Sequence, residues 1–305
     1  MNKKYANVGG QAVMEGIMMR SPKRSVLAVR QPDGNIVTEE MNAQSVREKY
    51  KFLNLPIIRG VVAFVESLVI GYKSISRSAV LAGLEEETNN NKFAETALIV
   101  VSAVVGMLLA VALFVVVPAY SVSWLSNLVN FGIFKTLVEG IIRVIIFIFY
   151  IFLVSKMKDI KRIFEYHGAE HKTIFCFEAG EELNVENVKK QSRLHPRCGT
   201  SFLFLVMIVG ILFFSFVTWN NIVIRILLKL ALMPLVAGVS FELIRLAGIY
   251  DNVFTRVISA PGKALQKLTT AEPHDDQIEV AITALKESLE DEDGNLDINT
   301  AYDEK

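Results

Sequence analysis

The chain has 305 residues, enough for one large or two small domains, with 32 basic and 32 acidic side chains that cancel. A pI near 6.9 gives it no net charge to hold nucleic acid, so no sequence-specific nucleic-acid partner is expected. Hydrophobic residues make up 52% and fall in blocks, with mean hydropathy +0.38, which excludes an ordinary soluble globular protein and marks a membrane protein. The N-terminal segment Met1 to Gln11 carries Lys3 and Lys4 with no apolar core behind them, so no cleaved signal peptide is expected.

Residues 1–55 read as a small cytosolic β-containing domain. Ser25 to Arg30 and Ile36 to Glu40 are strands, and Pro32-Asp33-Gly34 between them is hairpin chemistry, because glycine takes the positive φ that the turn needs. Upstream, Gly9 to Gly16 is a glycine-punctuated strand or loop. It is not a phosphate-binding loop, since no Lys-Ser/Thr follows Gly16.

Residues 56–92 hold an apolar segment, 57–72, in which Arg59 and Glu66 lie seven residues apart on one helical face. Burying both in lipid costs a few kcal/mol each, so an interfacial or re-entrant helix is expected, with Lys73 and Arg77 at the headgroups. A membrane domain, 93–247, follows with four spans near 96–117, 134–155, 201–219 and 222–246. The second carries Glu139 and Arg143, which neutralise each other at i,i+4; the fourth carries Pro234, Glu242 and Arg245 and is expected to kink. These pairs mark a polar feature inside the membrane or simple helix-packing glue.

Residues 1–60 hold ten basic against five acidic residues, and the 118–133 connection holds no basic residue. The positive-inside rule then puts both termini in the cytosol of a bacterial inner-membrane protein. Arg225 and Lys229 fit poorly at the outer end of the fourth span and are expected to snorkel. Residues 248–290 read as two cytosolic amphipathic helices, Lys263 to Leu268 and Asp276 to Leu289, and 291–305 as an acidic disordered tail. The fold class is therefore mainly α: about four transmembrane helices, one interfacial or re-entrant helix, and the N-terminal β unit.

The chemistry concentrates in the cytosolic loop 156–199. A helix continuing out of the second span from Lys156 to Phe177 places His167 and His171 on one face, with Glu170 between them in sequence. His195 and Cys198 follow in a turn at the same membrane face, and Thr200 or Ser201 caps the third span. His167, His171 and His195 form a donor set for a divalent metal, zinc by preference. Cys198 either closes a tetrahedral site or yields its place to a water, for which Glu170 is the candidate catalytic base. Alternatively the histidines bond to Glu165 or to backbone carbonyls and anchor the helix. The H-x-x-E-H pattern matches inverted zinc metallopeptidases over five residues only. Those enzymes take a third ligand, usually glutamate, from a distant helix, and Glu178, Glu181 and Glu182 are too close. Cys176 and Cys198, the two cysteines, make no disulfide framework.

Gly9 to Gly16 with Met18-Met19-Arg20, Pro56 with Arg59-Gly60, Glu165 to Lys172, His195 to Ser201 and Pro261-Gly262 together resemble the YqhQ-like family of bacterial membrane proteins of unknown function, which has plastid relatives. The resemblance runs from about residue 5 to 290 and implies a membrane protein described as a metal-dependent enzyme, with the activity left open. Two functions fit these residues. One is a metal-dependent hydrolase of a membrane-associated substrate. The other is a non-enzymatic biogenesis factor that binds membrane lipids and the protein-insertion machinery or ribosome, through a basic N-terminal domain containing Lys23, Arg24 and Arg30. A transporter finds little pathway in four spans without inverted repeats.

Overall fold

The structure is a computed structural model that describes residues 6–22, 24–41, 45–85, 92–195, 198–217, 221–250, 252–290 and 301. Lys23, Pro196, Arg197 and the acidic tail apart from Ala301 lie outside the described residues.

Four strands, β1 (Gly9–Val13), β2 (Gly16–Arg20), β3 (Ser25–Arg30) and β4 (Ile36–Glu40), form an antiparallel meander in chain order. The expected hairpin lies between β3 and β4: Gly34 has φ +89°, and Gln31 N–H donates to the Asn35 carbonyl at 2.8 Å. Glu15, at φ +50°, turns β1 into β2. β2 and β3 are buried on both faces, which is why Ile17-Met18-Met19 and Val26 to Val29 are unbroken apolar runs rather than alternations.

A short helix α1 (Val46–Lys49) and a 3₁₀ turn precede α2 (Ile58–Leu81). Then come α3 (Lys92–Val111), a π-helical turn at Ala112–Val116, α4 (Val117–Leu125), α5 (Lys135–Val154), α6 (Lys158–Glu178), α7 (Val185–Lys190), α8 (Gly199–Phe214), α9 (Ile222–Ile249), α10 (Val253–Thr269) and α11 (Asp275–Leu289). One face of the sheet packs on α2 through Val13, Met18, Leu27 and Val29 against Ile70 and Ala82. The other packs Ile17, Met19 and Ala28 against Tyr166 and Ala169 of α6 and against Ile278, Ala281 and Leu285 of α11. The N-terminal sheet thus shares its core with the histidine helix and the C-terminal helix.

Among the described residues, three segments, Val100–Leu125, Lys135–Val154 and Ile222–Ala247, are long and apolar enough to cross a membrane. The first runs farther than sequence periodicity indicates, because the π turn carries the helix through Pro118, a residue tolerated in a first turn. The apolar helix α8 has 16 residues, about 24 Å of rise against a hydrocarbon core of about 30 Å.

Several expectations need correction. α6 does not continue α5: the chain breaks at Ser155 to Met157, where Met157 is extended at ψ 134°. α10 runs from Val253 straight through Pro261, because a capping box at Asn252 and Thr255 starts it earlier than composition suggests. Cys198, rather than Thr200 or Ser201, caps α8, its sulfur accepting from Thr200 N–H. Arg59 and Glu66 diverge. Arg59 reaches across to Glu242 of α9 in a two-point pair, Nε to Oε1 at 2.7 Å and Nη2 to Oε2 at 2.5 Å. Glu66 instead accepts from Ser45 Oγ at 2.8 Å and Val46 N–H at 2.8 Å. Arg77 turns to Glu39 at 2.7 Å rather than outward to headgroups.

Lys229 does not snorkel. It is 1% exposed and bonds Glu139, which also takes Arg143 Nη2 at 3.2 Å. Arg143 Nε donates to the Phe114 carbonyl at 2.7 Å, and the Phe214 ring faces both cations at 5.2 and 5.8 Å. Left buried without a partner, each charge would cost a few kcal/mol. Together they tie α5 to α9 and to the π-helical turn.

Candidate functional site

A cavity of about 410 Å³ opens where α6, β1 and the start of α8 meet. His167, Glu170, His171 and Ile174 look into it from α6, since residues three and four apart share a helical face. Gly168, on another face, lies against the 270–273 segment; a Cβ there would sit 2.0 Å from the Ala271 carbonyl oxygen. Only glycine lets that segment come close enough for Ala271 N–H to bond the Phe164 carbonyl at 2.8 Å.

That close approach orients the first imidazole. His167 Nδ1 lies 2.8 Å from the Thr269 carbonyl, and His171 Nδ1 lies 2.6 Å from the Arg193 carbonyl. A carbonyl only accepts, so each Nδ1 carries its proton and each Nε2 keeps a lone pair. The rings sit 4.4 Å apart, centroid to centroid. Cys198 Sγ completes a group with His167 and His171 whose donor atoms lie within 4.8 Å of one another. With its lone pair, His167 Nε2 accepts from the Cys198 thiol at 3.1 Å. Cys198 also contacts Thr200 Oγ1 at 3.2 Å, which seats the sulfur over the N-terminus of α8.

Glu170 is buried, with its carboxyl against Gly10 of β1. Burial pushes its pKa above the ordinary carboxylate range, opposed by the hydrogen bond from the Gly10 N–H. A Cβ at Gly10 would stand 3.0 Å from Glu170 Cδ and Cγ, so glycine makes room for the acid.

His195 lines the same cavity, its ring 5.7 Å from that of His171, but its Nε2 faces Glu178 Oε2 at 3.4 Å. The buried amide of Gln266 clamps its backbone, accepting from His195 N–H at 2.8 Å and donating to the His195 carbonyl at 2.7 Å. Of the four sequence-predicted donors, the structure therefore gathers His167, His171 and Cys198 and places His195 beside them. Glu165 bonds Gln277 at 3.1 Å rather than either histidine. Glu139, Arg143, Glu242, Arg245, Arg59 and Glu66 take no part in this cavity.

Gly10 and Gln266 escape sequence reasoning. Adjacent glycines inside a strand do signal close approach of another group, but Gln266 sits in α10 with no pattern to single it out.

Two imidazoles with fixed tautomers and a thiol suit zinc, and three protein ligands leave a fourth position open. A Glu beside such a position can move a proton to or from a water.

The conserved-domain description "Protein of unknown function (DUF1385)" matches residues 55–291. The chain is 33% identical over 291 residues to "Uncharacterized protein YqhQ" of Bacillus subtilis (strain 168), covering 92% of each chain. No solved structure matches it. The chain belongs to the YqhQ-like family.

Proposed function

We propose that the protein is a membrane-bound, metal-dependent hydrolase that holds a divalent ion, zinc by preference, on His167, His171 and Cys198. It acts at the cytosolic membrane face on an ester or amide bond of a membrane-associated substrate. The observation that carries this reading is the convergence of two imidazoles and one sulfur, with donor atoms within 4.8 Å of one another, beside a buried carboxyl in an open cavity. A divalent ion there supplies Lewis acidity and a water of lowered pKa. The chain's residues do the rest. The Thr269 and Arg193 carbonyls hold the imidazoles in one tautomer. Glu170 takes the proton of the attacking water and returns it to the leaving group. Ile163, Phe164 and Leu203 give the cavity an apolar wall.

The same reading assigns α8 as a fourth span, with both termini in the cytosol and the protein in a bacterial inner membrane. The lysines and arginines of residues 1–60 and the lack of basic residues in 118–133 support it. The biogenesis-factor alternative depends on N-terminal cations that could reach phosphate. Two of them are engaged: Arg24 with Glu40 at 2.9 Å and Arg30 with Glu279 at 2.8 Å.

Elemental mass spectrometry on detergent-purified protein tests the proposal. Near-stoichiometric metal in wild type and in Glu170→Gln, with loss in His167→Ala and Cys198→Ala, is expected. Absence of metal from folded, zinc-reconstituted wild type would sink it.

A further inference from the structure

β1 pairs with β2 on one side and, among the described residues, with no strand on the other. The two-residue turn at Met14 and Glu15 sets the ladder: Val13 and Gly16 are a hydrogen-bonded pair, and so are Gln11 with Met18 and Gly9 with Arg20. The alternate residues Val8, Gly10 and Ala12 therefore turn N–H and C=O away from β2. All three line the cavity that holds His167, Glu170 and Cys198. The Gly10 N–H is engaged by Glu170. The Gly10 carbonyl and both polar groups of Ala12 point outward beside it.

Side chains along this edge are minimal. Gly9 is exposed with open space where a Cβ would project, and Gly10 and Ala12 add nothing larger than a methyl. The result is an approachable strand edge bordering a candidate catalytic acid. An acyl chain offers such an edge no hydrogen bonds. Backbone amides repeat at the strand's own spacing and match it.

We propose that the substrate is an extended peptide segment that adds to the free edge of β1 as a fifth strand and is hydrolysed beside Glu170. This rests on the hydrolase reading above and names its substrate class. The water oxygen bonds to the peptide carbonyl carbon and the C–N bond breaks. One water proton passes by way of Glu170 to the leaving nitrogen, giving a carboxylic acid and an amine. Ile163, Phe164 and Leu203 select an apolar side chain next to the scissile bond.

The test uses zinc-loaded full-length protein in nanodiscs, with 4-nitrophenyl acetate as a small ester and a library of unstructured decapeptides read by mass spectrometry. Cleavage of decapeptides is expected, with kcat/KM lowered at least about tenfold in Ala12→Pro. Single N-methylation along a cleaved peptide checks the same point without relying on the variant's fold. Methylation should inhibit at alternate positions, because only alternate N–H groups face β1. Ester turnover without peptide cleavage, or N-methyl inhibition without alternation, would overturn the peptide proposal and leave the hydrolase standing. No turnover of either substrate by fully metallated protein would overturn both.

Discussion

Cys198 Sγ lies 3.1 Å from His167 Nε2, although 31 residues separate them in sequence. The thiol proton occupies the line along which both atoms would face an ion. Metal binding must displace it, so zinc loading is expected to release about one proton per ion. Calorimetry in buffers of different ionisation enthalpy reads that number directly. Cys198→Ser should bind zinc more than about 100-fold more weakly, a larger loss than second-sphere changes give.

Gly168→Ala is expected to destabilise the protein by about 1–3 kcal/mol, because the new methyl would strike the Ala271 carbonyl oxygen. The displaced segment carries the Thr269 carbonyl that orients His167, so zinc affinity should fall with stability. Thermal unfolding in detergent, run beside zinc titration, checks both. A variant of wild-type affinity would show that the carbonyl does not orient the ring.

Glu139→Gln should cost about 3–5 kcal/mol, since it leaves Arg143 and Lys229 buried without their shared counter-charge. Lys229→Met should cost less, because Glu139 keeps Arg143. The order of the two in a detergent-resistance assay decides the point. Equal losses would mean that the carboxylate does not serve both cations.

Burial pushes the Cys176 thiol up to about 11. The folded protein therefore holds this proton where an unfolded chain, titrating near 9, begins to release it. Its contribution to stability is full below about pH 9 and lost as pH rises toward 11. At pH 8 only about one thiol in a thousand is ionised. Maleimide should leave Cys176 unlabelled in folded protein and label it in denaturant, as peptide mass mapping would show.

Local chemistry was the legible part of this chain. Pro32-Asp33-Gly34 announced its hairpin, and the His167 and His171 spacing announced a shared face. Periodicity tells which residues share a face and is silent on what that face meets. The Arg59–Glu242 pair bridges a sequence separation of 183, and Lys229 reaches Glu139 across 90. Arg162 finds Glu15 across 147, which no window along the chain could contain. Cys198 was legible as a donor and illegible as a cap. The cap depends on where α8 begins, and His195-Pro196 hides that start.

The Lys229–Glu139 contact also has a bearing on how the chain is made. α5 leaves the ribosome well before α9, and its Glu139 and Arg143 already balance each other. α9 arrives later with Arg225 and Lys229 in its opening turns and no acid of its own there. As a solitary segment it is a poor passenger for any insertion route. Held beside α5 it gains a waiting carboxylate. The order of synthesis thus becomes an assembly instruction, in which the earlier helix serves as the receptor for the later one.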